Sequence, residues 1–246
     1  MSLKLELPDP LKYRRQWTFF DDFLAEDVKV GDGSTDIIRW TITADAGGAQ
    51  GLDVDGVGGI YAITTDGDDN DEAYIESREF IKFAADKPLI FEARIQYTEA
   101  NTDDANVIVG VMDAPAANAL VDNGGGITIP NEGFAFYKVD GGTVWNFQSE
   151  MATVATSSQS ETTAGGSSYQ TLRCEVDSVT PGTTGDIVLT PYVDGARLID
   201  STSKKPIQHR VALSAPTEMA IVLGAKAGGA NAETLLVDYV CVTQLR

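Results

Sequence analysis

Between Asp66 and Glu72 the sequence reads Asp-Gly-Asp-Asp-Asn-Asp-Glu, a dense run of side-chain oxygens. Asp66, Asp68, Asn70 and Asp71 offer hard donors at short spacing, which is the chemistry of calcium binding. The ordered loop and flanking helices of an EF-hand are missing. A solvated turn that carries negative charge is the competing reading. A second set is aromatic: Trp40, Tyr61, Tyr74, Tyr137 and Trp145 are candidates for a carbohydrate-binding platform, because aromatic faces stack on sugar C–H surfaces. The same residue types also serve as core or edge packing. The single histidine, His209, follows Lys204-Lys205-Pro206 and is expected on a surface loop. No nucleophile elbow accompanies it. One histidine and two distant cysteines do not make zinc-ligand spacing. No phosphate-cradling glycine motif leads into a helix.

The charge balance narrows the partners. The chain has 246 residues and a formal net charge of −19. Such a body repels phosphate backbones and anionic lipid, so nucleic acid and membranes are not expected partners. No window approaches the roughly 20 apolar residues of a membrane span. Met1 to Pro8 carries charges throughout and lacks the apolar core of a signal peptide, so synthesis without export by the usual route is expected. Cys174 and Cys241 each lie in an apolar strand pattern and are expected as buried free thiols, their pairing being left open.

The elements that must position these residues are strands. Leu89–Tyr97 alternates strictly, with Phe91, Ala93, Ile95 and Tyr97 on one face and Glu92, Arg94 and Gln96 on the other. Asn106–Met112 is almost wholly apolar, as a central strand would be. Residues 114–132 read as a long loop. Asp140-Gly141-Gly142 is a hairpin signal between two strands. Residues 151–168 are rich in Ser and Thr and read as a flexible loop or weak strands. Tyr169–Asp177 alternates again, and Pro191 marks an edge or a bulge. Residues 1–16 differ from the rest. Leu3, Leu5 and Leu7 alternate, Pro8 and Pro10 stiffen the chain, and Lys12, Arg14 and Arg15 form a positive patch. The expected fold is all-β: a two-sheet antiparallel sandwich over 17–246, preceded by an extended N-terminal arm, 1–16.

Three segments resemble the concanavalin A-like lectin/glucanase domains. Phe20-Asp21-Asp22-Phe23 looks like their DDF opening, Leu89–Tyr97 like their FEARI strand, and Val237-Asp238-Tyr239-Val240-Cys241-Val242 like the DYVRVY ending of laminarinase-type glucanases. The resemblance implies a jelly roll of two curved sheets. It also favours calcium near a sheet edge, with no other cofactor required. Glucanases of this fold carry E-x-D-x-x-E along one strand, with nucleophile and acid/base on one face. The nearest segment is Glu175-Val176-Asp177-Ser178-Val179-Thr180, where Thr180 stands in place of the second glutamate and cannot protonate a glycosidic oxygen. Hydrolysis is therefore not expected.

A narrower resemblance is to virion structural proteins of tailed bacteriophages, through GGIYAITT, Asn70-Asp71, FEARI and GVMDA. It implies a non-enzymatic capsid decoration or auxiliary protein, localised to the virion after synthesis in the host cytoplasm and oligomeric within the particle. The arm would dock on other virion proteins, the major capsid protein first, because alternating leucines can add a strand to an open sheet edge. The alternative from a different class is a lectin-like carbohydrate-binding module for host or environmental glycans.

Overall fold

The computed structural model describes residues 16–24, 40–45, 47–53, 56–178 and 185–246. The docking residues Leu3, Leu5, Leu7, Lys12, Arg14 and Arg15 lie outside the described residues, as does Thr180. Sixteen strands follow in order: β1 (Gln16–Asp21), β2 (Trp40–Ala44), β3 (Ala49–Leu52), β4 (Tyr61–Thr64), β5 (Glu72–Ser77), β6 (Leu89–Thr98), β7 (Asn106–Met112) and β8 (Glu132–Lys138); then β9 (Val144–Met151), β10 (Val154–Thr163), β11 (Gln170–Ser178), β12 (Asp186–Val193), β13 (Ala196–Arg197), β14 (His209–Ala212), β15 (Ala220–Lys226) and β16 (Thr234–Leu245). Gln16, assigned to the arm from sequence, opens β1.

The strands form two antiparallel sheets. The first has nine strands, ordered β13-β12-β11-β6-β16-β4-β3, with β1 also on β16 and β14 also on β12. The second has seven, ordered β10-β9-β8-β7-β15-β5-β2. Strand β16 organises the first sheet. One edge pairs with β6; the other is shared, β4 taking Thr234–Val237 and β1 taking Val240–Leu245. This is the expected jelly-roll sandwich.

The core lies between the sheets, where period-2 alternation puts it. Phe91, Ala93, Ile95 and Tyr97 of β6 face inward. Phe134 and Phe136 of β8 and Trp145 and Phe147 of β9 meet them from the second sheet. Phe134 packs edge-on against Phe91, ring centroids 5.7 Å apart. Strand β7 is buried on both faces: Val107, Val109 and Val111 point into the core, while Ile108 and Met112 point outward into a second apolar cluster. That second cluster exists because a loop covers the outer face of the second sheet.

Two expectations need correction, and one open alternative is settled. The Ser/Thr stretch, read as a flexible loop or weak strands, holds a strand, β10, paired with β9 from Val154↔Met151 to Thr163↔Val144 with a register shift between Gln159 and Thr163. It is an edge strand with polar residues on both faces, so it lacks the alternation of a half-buried strand. His209 is not on a surface loop. It begins β14, opposite Leu189 of β12, and is 4% exposed. Cys174 is buried as expected, but Cys241 is half-buried and both thiols are free. The two cysteines flank β6 on opposite sides, Cys174 beside inward-facing Phe91 and Cys241 beside outward-facing Glu92, so they cannot meet.

Candidate functional site on the outer face of the second sheet

Residues 113–131 leave β7, run along the outer face of the second sheet and return to β8. The base of this loop is closed by Asp113, whose Oδ1 accepts the backbone N–H of Asn131 (3.0 Å) and of Glu132 (2.7 Å). Its tip is a 3-10 turn, Asp122–Gly124. The underside is apolar: Leu120, Ile127 and Ile129 pack on Ile108, Met112, Tyr137 and Val222. Gly224 makes room beneath, since a Cβ there would lie 2.0 Å from the Tyr74 ring.

A buried polar network pins the loop. Glu72 Oε1 accepts the Asn118 N–H at 2.7 Å, and Glu72 Oε2 accepts the Tyr74 hydroxyl at 2.7 Å. The Tyr74 oxygen in turn accepts the Leu120 N–H at 3.1 Å. Burial first, and then the Glu72 charge, push the Tyr74 pKa upward, so the phenol stays protonated and donates. The Lys226 ammonium donates to Glu72 Oε2 (3.2 Å), Asn118 Oδ1 (3.1 Å) and the Leu120 carbonyl (3.0 Å), and lies 2.5 Å from Asp122. A buried ammonium is tolerated only when its charge and its donors are matched in this way.

Beside the loop, β9 and β10 leave a polar shelf. Asn146, Gln148 and Glu150 alternate outward from β9, and their partners across the ladder are Gln159, Ser157 and Ala155. The β10 residues are exposed, while the three β9 side chains are recessed to under a tenth exposed. The Tyr137 hydroxyl closes the row, 2.8 Å from Ser157 Oγ. Glu150 is held above the usual carboxylate range by burial, then by the Asp113 charge, with a hydrogen bond to Gln148 opposing both.

At the loop's tip lies the acidic segment. Asp66, Asp68 and Asp71 each bring a carboxylate oxygen to within 4.8 Å of the others. Asn70 ties this segment to the long loop: its Oδ1 accepts the Asn123 N–H at 3.0 Å. Its backbone N–H donates to the Ala227 carbonyl at 3.1 Å, fixing the turn against the β15–β16 connection. Asp71 is raised above its ordinary pKa by burial, then by the charges on Asp45, Asp68 and Asp66. Three convergent carboxylates that repel one another suit a hard divalent cation. These are three of the four residues expected from sequence.

The aromatic residues do not form one platform. Trp40, Tyr61 and Trp145 lie in the core between the sheets. Tyr74 lies under the loop, and Tyr137 at the edge of the shelf. A buried ring cannot present its face to a sugar, and all five rings are buried; of the five, Tyr137 alone reaches the shelf, through its hydroxyl. Glu175 and Asp177 are on the opposite side of the molecule, on the outer face of the first sheet. There Glu175 pairs with Arg173 (2.5 Å) and accepts the Tyr192 hydroxyl (3.1 Å). His209 bridges the sheets through two serines, with Ser149 Oγ 2.8 Å from Nδ1 and Ser158 Oγ 3.0 Å from Nε2. Sequence reasoning missed the shelf because Asn146, Gln148 and Glu150 are ordinary polar alternation until the sheet shows what lies beside them.

No family model matches the chain, and no curated protein matches it. Solved structures do. An endo-1,3-beta-glucanase from Streptomyces sioyaensis superposes with a TM-score of 0.62 at 18% identity, over 94% of this chain and 97% of that one. The Emp47p carbohydrate recognition domain gives 0.59 at 13% identity, over 94% and 97%. Peanut lectin gives 0.56 at 9% identity, over 94% and 99%. A potassium-bound form of the Emp46p carbohydrate recognition domain gives 0.57 at 14% identity, over 90% and 94%. At these identities the likeness is one of fold alone: the chain is a two-sheet antiparallel jelly roll of the concanavalin A-like kind.

Proposed function

We propose that the chain is a lectin-like, non-catalytic glycan-binding module that holds a sugar chain along the β9–β10 shelf. The observation that carries this reading is the row Asn146, Gln148 and Glu150 on the outer face of β9. Amides both donate to and accept from sugar hydroxyls. They neither attack an anomeric carbon nor protonate a leaving oxygen. Retaining hydrolysis needs two carboxyls about 5–5.5 Å apart, and inverting hydrolysis about 6.5–9.5 Å. The shelf supplies one, Glu150, and the neighbouring Asp113 is committed to the backbone N–H groups that close the loop. The lectin domains among the structural neighbours support the reading without deciding it. The virion expectation rests on a sequence resemblance alone; the arm by which it would dock lies outside the described residues, and the structural neighbours lend it no support.

The test is a glycan array followed by affinity electrophoresis in soluble polysaccharides. Gln148→Ala and Asn146→Ala should each weaken binding at least tenfold with an unchanged melting temperature. Silence of the parent protein on every glycan sinks the proposal. Release of reducing sugar that disappears in Glu150→Gln would show a hydrolase instead.

A further inference from the structure

The sandwich also carries a cavity of about 660 Å³. It opens where β1 begins, where β16 ends, and between the 82–87 and 213–216 segments. Trp17, Phe83, Leu213 and Pro216 make its apolar wall, and Lys82, Lys87 and Arg246 are on its lining too. Its volume falls in the range of small-molecule sites, about 300–1,000 Å³.

We propose that this cavity binds a small amphiphile with an apolar body and an anionic head, of the fatty-carboxylate kind. Charge argues for the anion. The protein is strongly acidic, and several of its lysines and arginines are spent in ion pairs: Arg94 with Asp238, Lys138 with Glu99, Arg173 with Glu175, Lys204 with Glu161, Arg210 with Asp186, and Lys226 with Glu72 and Asp122. Lys82, Lys87 and Arg246 make no ion pair among the described residues and all three line this cavity, with Asp86 as a neighbouring acid and Glu132 within reach of the Lys82 charge.

The walls are built in advance. Gln244 Nε2 donates to the Lys82 carbonyl at 2.6 Å and to the Lys87 carbonyl at 3.5 Å, which staples the 82–87 segment to β16. Phe83 stacks toward Phe134 of the core, centroids 6.3 Å apart. Across the cavity, Glu132 Oε2 accepts the Thr217 N–H at 2.6 Å and the Thr217 hydroxyl at 3.1 Å, fixing the β14–β15 connection that carries Ala215 and Pro216. Trp17 rests edge-on against Phe80, centroids 5.4 Å apart. A preformed site loses little conformational freedom on binding. A neutral hydrocarbon would use the wall alone; an anionic head adds attraction to the lysines, so the carboxylate should bind better than its alcohol.

The cavity contains its own probe. Trp17 lines it, whereas Trp40 and Trp145 are in the core, so a ligand should change the emission of Trp17 alone. The experiment titrates dodecanoate, below its micelle concentration, into the full chain and follows tryptophan fluorescence and heat. The expected result is saturable quenching, absent in Trp17→Phe, with dodecanol binding at least fivefold more weakly. Lys82→Glu/Lys87→Glu should lower dodecanoate affinity at least tenfold without moving the melting temperature. Equal affinity in that variant, or for the alcohol, overturns the anionic assignment. No quenching of the parent protein overturns the site, whether its own residues or a second copy fill it; sedimentation separates those two. Because the cavity and the shelf lie on different elements, failure here leaves the glycan reading standing, and Gln148→Ala should leave dodecanoate binding intact.

Discussion

Lys226 and Glu72 form an ion pair at 3.2 Å with both side chains almost completely out of solvent. They sit on neighbouring strands of the second sheet, in register across β15 and β5. Their pairing turns an otherwise open sheet face into an anchored one, because each also holds the loop 113–131. An apolar underside alone would leave the loop free to slide; the directional contacts fix where Asn118 and Leu120 sit.

The first prediction follows from the cost of an unmatched buried charge. Lys226→Met should destabilise the protein by about 3–5 kcal/mol, the usual range when one partner of a buried pair is removed. Limited proteolysis should then cut within 113–131, which should resist in the parent protein. Adding Glu72→Gln to Lys226→Met should recover part of the loss, since the orphaned carboxylate is gone. Chemical denaturation checks all three. A Lys226→Met protein as stable as its parent would mean that the network is not what holds the loop.

The second concerns His209. Burial lowers its pKa from 6.5 to about 4, and its two nitrogens are already engaged by Ser149 and Ser158. The folded state therefore resists protonation that the unfolded chain accepts. The stability from neutral His209 is fully present above pH 6.5 and is lost as pH falls toward 4, by about 3 kcal/mol in all. Glu233, which burial pushes up to about 7, works in the other direction over much of that window. The comparison with His209→Gln isolates the histidine: the difference in unfolding free energy between parent and variant should shrink as pH drops from 6.5 to 4. A constant difference would mean that His209 titrates normally.

How much of this was legible in sequence depends on which physical signal each residue left. Phe91, Ala93, Ile95 and Tyr97 were readable because a sheet with one wet face writes its burial as period-2 alternation. The hairpin at Asp140-Gly141-Gly142 was readable from turn chemistry, and Gly141 indeed has φ of 70°. His209 was misplaced because Lys204-Lys205-Pro206 suggested a loop. The better signal was one step on: Ile207, His209 and Val211 face in while Gln208, Arg210 and Ala212 face out. The acidic segment was readable as a local cluster, and the shelf was not, because it joins β9 to β10 and is bounded by a loop that starts some thirty residues earlier. The aromatic platform failed for a related reason: residue type shows that a ring wants burial or a partner, and only the sheets decide which.

The last prediction concerns the three carboxylates of Asp66, Asp68 and Asp71. Without a counter-ion they repel one another, and a cation that binds only the folded arrangement stabilises it by RT ln(1 + [L]/Kd). At a calcium concentration a hundred times Kd that is about 2.7 kcal/mol. For a chain of this length it corresponds to a rise in melting temperature of roughly 5–10 °C. Calcium should therefore raise the Tm and a chelator should reverse the rise. Asp68→Asn should abolish most of the calcium effect, and on its own should stabilise the metal-free protein slightly, because it removes one of the repelling charges. That opposite sign separates a binding site from a solvated acidic turn, which would respond to calcium no more than to the same ionic strength of sodium chloride. Calorimetry at constant ionic strength gives the stoichiometry, expected to be one ion per chain. If the melting curves coincide with and without calcium, the turn is only solvated charge. Asn70→Ala offers an independent check: Asn70 holds Asn123, so its loss should loosen the loop tip without removing a carboxylate, and calcium affinity should fall less than in Asp68→Asn.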